Sequence, residues 1–106
     1  MAAFEMKKNL SIKKTFALAV ENHQKNDLQN AENLYKEVLK MNPEHFEAIF
    51  FLGTLSAQSK KFDIAIQLFN KAIKIRPNYV HAYINLGNSL KELGKYQKAI
   101  NCYEKA

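Results

Sequence analysis

Residues 83–100 read YINLGNSLKELGKYQKAI, with Gly87 and Gly94 seven residues apart among good helix formers. A glycine inside a helix costs about 0.5–1 kcal/mol relative to alanine, so each needs an offsetting gain. The arrangement recurs. Shifting the chain by 34 residues places 42–72 over 76–106, and from Phe46 onward eight of 27 aligned positions are identical, Leu52/Leu86, Gly53/Gly87, Lys61/Lys95 and Ala65/Ala99 among them. Pro43 and Pro77 are also 34 apart. A second shift gives a fainter copy over 12–45, with Ala19 in the glycine column, Ala31 in the alanine column and Tyr35 under Phe69 and Tyr103. A fixed period of this length marks a repeat architecture.

Each copy reads as two short helices. In the second, Ile49, Phe50, Leu52 and Leu55, then Phe62, Ala65, Ile66, Phe69, Ala72 and Ile73, recur at helical rather than strand spacing. The break between the helices holds Asn26, Lys60 and Gly94 in one column. Asn and Gly tolerate the left-handed conformation that ends a helix, which accounts for Gly94 and leaves Lys60 as the poorest fit. Pro43 and Pro77 stop the second helices. Gly87 lies in mid-helix, and its column of Ala19, Gly53 and Gly87 is matched by Ala31, Ala65 and Ala99 on the paired helix. Small residues are therefore expected to face small residues where the helices cross, so that large neighbours interdigitate.

A 34-residue helix-turn-helix unit with small residues at the crossing, an Ala-x-x-x-aromatic run (Ala31 to Tyr35, Ala65 to Phe69, Ala99 to Tyr103) and a proline between units resembles the tetratricopeptide repeat (TPR). The resemblance covers 12–106; the first unit departs from the pattern at Thr15, Asn22 and Leu28. It implies an all-α fold, a right-handed superhelical array of antiparallel helix pairs with about three repeats, the last incomplete. One TPR domain over 1–106 is expected, divided into an N-terminal arm (1–11), repeat 1 (12–45), repeat 2 (46–79) and a truncated repeat 3 (80–106).

Composition removes several classes of function. Cys102 is the only cysteine, so no internal disulfide can form, and a reducing, cytoplasmic location is expected. Its place beside Tyr103 suits a small buried hydrophobe. No stretch has signal-peptide character or 18 consecutive apolar residues, and no membrane partner is expected. The net charge is +6, but 15 of the 16 basic residues are lysines spread over the chain and Arg76 is the only guanidinium. Solvated helix faces explain that pattern better than a nucleic-acid surface, although RNA-reading helical repeats exist. His23, His45 and His81 are far apart, no metal-ligand spacing occurs, and no glycine-rich loop follows a strand. No catalytic residue, metal or cofactor is expected, and the chain reads as a non-enzyme.

What remains is a surface. Stacked helix pairs make a concave groove, and the family resemblance implies that first helices line it. The candidate groove residues are Phe16, Val20, Phe50, Phe51, Thr54, His81, Ile84, Asn85 and Asn88. Phe16, Phe50 and Ile84 would form an apolar ladder beside the short polar groups of Thr54, Asn85 and Asn88, which suits a peptide segment or a partner helix. Phe50 reads equally well as packing between neighbouring first helices. Chaperone-binding members of the family grip a C-terminal carboxylate with lysine, arginine and asparagine. Here those places hold Phe16, Val20, Phe51, His81 and Asn85, and only Asn85 fits. The stretch AYINLGNSLKELG is similar to repeats preceding the catalytic domain of protein O-linked N-acetylglucosamine transferases, where asparagines ladder along the groove. Asn85 matches that ladder; Ala17 and Phe51 do not. The primary expectation is a protein-protein interaction scaffold, and the alternative is a substrate-presenting arm of a larger transferase. Ala106 falls about a turn before its counterpart helix ends at Ile75, so either the array continues or another copy covers it, and self-association through the last repeat is expected.

Overall fold

The computed structural model describes residues 2–106, and these form six α-helices with no strand among them. They are α1 (Ala2–Gln24), α2 (Leu28–Met41), α3 (Phe46–Gln58), α4 (Phe62–Ile75), α5 (Val80–Glu92) and α6 (Tyr96–Lys105). Two compact units divide the chain, one ending at Ala48 and the other running from Ile49 to Ala106.

The turn within each helix pair is built the same way three times. Asn26, Lys60 and Gly94 take φ of 64°, 61° and 77°. Each donates its N–H three residues back, to His23, Ala57 and Lys91, while the next residue donates five back: Asp27 to Asn22, Lys61 to Ser56, Lys95 to Leu90. This pairing satisfies helix-end carbonyls and reverses the chain within the three residues between paired helices. Lys60 holds the left-handed conformation despite its Cβ, because both bonds of the motif are made. Between pairs, Pro43 and Pro77 occupy the second position of turns closed by His45 N–H to Asn42 O (3.1 Å) and Tyr79 N–H to Arg76 O (3.2 Å).

In the first unit, α1 packs on α2. Ala19, Ala31, Tyr35 and Val38 are wholly buried. Thr15, Phe16, Val20 and Leu28 are half-buried. The arm 1–11 is helical from Ala2 onward: nothing between Ala2 and Gln24 is a glycine or proline, and α1 reaches 23 residues where α3 and α5 have 13. Asp27 caps α2, its carboxylate accepting from the Asn30 N–H. The Tyr35 hydroxyl is hydrogen-bonded to His23 Nδ1 at 2.8 Å, and burial pushes its pKa up to about 12.

In the second unit, α5 packs on both α4 and α6. Ile49, Leu52, Leu55, Phe69, Ala72, Ala82, Leu86 and Leu90 fill the core, with Ala65 and Ala99. The partner of the mid-helix glycines differs from the sequence expectation. A Cβ on Gly53 would lie 2.8 Å from Phe69 Cε1, and one on Gly87 2.6 Å from Tyr103 Cε1. The nearest neighbours are thus aromatic rings four residues past the alanines, and the offsetting gain is a ring seated directly on helix backbone. Gly94, by contrast, has open space around it. Cys102 is half-buried, and burial raises its thiol pKa, against a smaller opposing effect of the Lys105 charge.

These contacts assign different costs to the three glycines. Gly53→Ala should destabilise the fold by about 1–3 kcal/mol despite alanine's better helix propensity, because the Phe69 ring is fully enclosed. Gly87→Leu should cost at least as much, and Gly94→Asn far less. Lys60→Gly should stabilise by up to about 1 kcal/mol by relieving the left-handed Cβ clash. Denaturant titration of the four variants measures this; equal losses for Gly53→Ala and Gly94→Asn would contradict it. Tyr35 gives a pH expectation. Between pH 10.0 and about 12 the folded chain keeps a proton that the unfolded chain releases, so this contribution to stability is intact below the lower value and lost as pH rises through the upper one. Tyr35→Phe should flatten that part of the stability curve, and an unchanged slope would show the hydroxyl to be irrelevant.

Candidate functional site

The residues that the repeat presents on one side of its first helices gather most clearly in the second unit. Asn85, Asn88 and Glu92 fall at helical spacings of three and four, which places them on one side of α5. Thr54, Ala57 and Gln58 come from α3. Together with Lys60, Phe62, Phe69 and Ser89 they line an open cleft of about 410 Å³. The lining is apolar at Phe62, Ala57 and the fully buried Phe69 and otherwise carries amides and hydroxyls, with one cation at Lys60 and one anion at Glu92.

Hydrogen bonding decides what the rim offers. The Thr54 hydroxyl donates to the Phe50 carbonyl at 3.0 Å, one turn back on its own helix, leaving its oxygen free to accept only. The Ser56 hydroxyl does the same to Leu52 at 2.8 Å and is buried. The Asn88 side-chain oxygen accepts from the Tyr103 hydroxyl at 2.6 Å. Asn85 is half-buried at the wall of the cleft.

The other candidates of the second unit lie outside this cleft. Phe50 is only 8% exposed; its ring centroid is 5.8 Å from Phe69, 5.9 Å from Phe51 and 5.2 Å, edge-on, from Tyr79. Phe50 is thus enclosed by rings from α3, α4 and the turn before α5, and Phe51 is half-buried. His81 is exposed, its ring 5.6 Å from Tyr79, and Ile84 is an exposed apolar residue. In the first unit, Phe16 stacks 5.0 Å from His45 and 6.2 Å from Tyr35, and Val20 is half-buried beside it on α1. His45 is occupied structurally: its Nδ1 accepts the Ala48 N–H at 3.1 Å at the start of α3.

Tyr103 and Tyr79 are the residues that sequence reasoning passed over. Tyr103 was legible only as a repeat signature, yet its column holds Phe69 in the neighbouring copy, and a hydroxyl where phenylalanine suffices signals a polar task. Among the described residues, no three His, Cys, Asp or Glu side chains are placed to hold a metal ion. None of the helices described is long and apolar enough to cross a membrane.

Known structures share the fold. MamA superimposes with a TM-score of 0.86 at 22% identity, covering 89% of this chain and 55% of its own. The chain spans about half the length of the MamA structures it matches. The TPR2B domain of yeast Sti1, in its complex with pHsp70, gives a TM-score of 0.85 at 27% identity, with 91% of this chain and 77% of that one covered. An O-GlcNAc transferase from Thermobaculum terrenum gives 0.86 at 26% identity, over 92% of this chain but 19% of that one. No curated protein matches the sequence significantly. Residues 24–106 match the model of the family described as anaphase-promoting complex, cyclosome, subunit 3, and the chain belongs to this family of tetratricopeptide-like helical repeats.

Proposed function

We propose that this chain is a non-catalytic scaffold that holds an extended peptide segment of a partner protein on its first-helix face. The observation that carries the reading is the cleft of the second unit, whose lining combines the half-buried Phe62 and Ala57 with the amides of Asn85 and Asn88. Apolar lining accepts a side chain and amides bind main-chain groups, which is the division of labour peptide recognition uses. The likeness to a Sti1 TPR domain that forms a complex with pHsp70 supports it. Phe51, Thr54, His81 and Ile84 would extend the surface in this unit, and Phe16 and Val20 are its counterparts in the first. Phe50 supports the site from within the core.

The transferase-arm alternative has the Thermobaculum likeness in its favour, and a catalytic domain encoded in the same gene would decide for it. A reducing compartment fits a single cysteine. Self-association has a specific observation behind it: Tyr96, Ile100 and Tyr103 follow one face of α6 and are 64%, 48% and 36% exposed. Such a stripe is suited to packing against a further helix, including one from a second copy.

Peptide-library selection followed by titration tests the main reading. Asn85→Ala and Asn88→Ala should each weaken a selected peptide by about 1 kcal/mol, with little dependence on salt. Phe50→Ala should instead appear as a stability loss of about 3 kcal/mol or more. Steep salt dependence, single-stranded RNA binding and indifference to both asparagines would replace the scaffold with a nucleic-acid reader. For self-association, Ile100→Glu should shift sedimentation toward the monomer, and a wild-type chain that is monomeric at high micromolar concentration rules the α6 contact out.

A further inference from the structure

The aromatic column of the repeat holds Tyr35, Phe69 and Tyr103. Phe69 is fully buried with no hydroxyl, so the ring alone meets the packing requirement. Tyr103 carries a hydroxyl that burial does not demand: the residue is 36% exposed and water could satisfy it. That hydroxyl nevertheless donates to Asn88 Oδ1 at 2.6 Å, fifteen residues back on α5, a short O–H···O bond. Gly87 makes the reach possible. The ring occupies the space over its Cα, with Cε1 only 2.6 Å from where a Cβ would stand, so the phenol passes across the helix pair to the side chain of the next residue. In the first unit the Tyr35 hydroxyl is also hydrogen-bonded, but to His23 Nδ1 at 2.8 Å, in the column of Lys91 rather than that of Asn88, and with Ala19 in place of the glycine. In the middle repeat Phe69 offers no such bond, and Thr54, which shares Asn88's column, turns its hydroxyl to its own backbone.

An asparagine amide has one acceptor oxygen and two N–H donors. With Oδ1 committed to Tyr103, the orientation of the Asn88 amide is set and its donors remain for the cleft that Asn88 lines. We propose that Tyr103 is a positioning residue for the groove, holding Asn88 as a hydrogen-bond donor, so that the bound segment presents an acceptor there, a main-chain carbonyl of an extended peptide. This rests on the peptide-groove reading above and deepens it by fixing the polarity of one contact.

Two measurements on the full chain test it. The first needs no ligand: by NMR, Tyr103→Phe should shift the Asn88 side-chain NH2 signals and increase their mobility, while the thermal midpoint stays close to wild type because Phe69 shows that phenylalanine fills this column. Unchanged Asn88 amide signals would overturn the positioning role. The second uses a peptide selected on the wild-type chain. Tyr103→Phe should weaken it about threefold to tenfold, and the effect should vanish in an Asn88→Ala background. Asn88→Asp, which keeps the shape but removes the donors, should lose at least as much as Asn88→Ala. The same Tyr103→Phe loss in both backgrounds, or full binding by Asn88→Asp, would overturn the proposal. Finding no peptide at all would overturn the groove reading and the acceptor with it, whereas the amide signals judge the positioning separately.

Discussion

An aromatic ring pressed onto bare helix backbone is the contact on which the second unit depends. Phe69 sits on Gly53 and Tyr103 on Gly87, each closer than any Cβ would allow. The helices of a pair can then approach until a flat ring, rather than two opposed side chains, fills the gap. Alanine at Ala65 and Ala99, buried one turn earlier, keeps the rest of the crossing narrow. The left-handed turn at Lys60 or Gly94 returns the chain within a three-residue connection, so the second helix starts in register to deliver its ring. Turn, alanine and ring are one constraint seen at three positions. A change at the ring or the helix backbone beneath it is felt across the crossing, because dense packing leaves no slack to absorb it, whereas Gly94 has open space around it.

The repeat made most of this legible. A period of 34, the Asn26/Lys60/Gly94 column and the paired prolines mark the turn within each pair and the breaks between pairs. Lys60, the least suitable residue for its turn, still adopts the expected conformation, with both hydrogen bonds of the helix-ending motif formed. The partner of Gly87 was less legible, for a geometric reason. Helical side chains lean toward the N-terminus of their own helix. A ring at Tyr103 therefore covers the turn that holds Ala99, and matching small residue to small residue names the right level but the wrong atom. The arm illustrates another limit: repeat alignment ends at residue 12, while helix α1 needs only the absence of a breaker to continue back to Ala2.

The site was legible in residue types and not in their roles. Thr54, Asn85 and Asn88 do share one cleft, because helical spacing alone puts them on one side. Phe50 could not be assigned from sequence, since apolar residues on a first helix serve the core and the groove equally; its enclosure by Phe51, Phe69 and Tyr79 depends on residues up to 29 positions away. The hydroxyl of Tyr103 was hidden for a similar reason. Fifteen residues separate it from Asn88, and only the depth allowed by Gly87 brings them together.

The chemistry of the cleft bears on how such a groove can bind at all. Its lining carries charge only at Lys60 and Glu92. On the proposed reading, recognition would fall to neutral hydrogen bonds and apolar lining. A net hydrogen bond contributes about 0.5–1.5 kcal/mol, whereas immobilising a free side chain at an interface costs about 0.5–1.5 kcal/mol. An asparagine that must be ordered on binding can therefore contribute almost nothing. One already held by a tyrosine hydroxyl, itself carried on a ring locked over Gly87, keeps most of the gain. On the proposed peptide-groove reading, the close approach that stabilises the helix pair would also set how its polar face binds, and stability and recognition in this unit would share one structural cause.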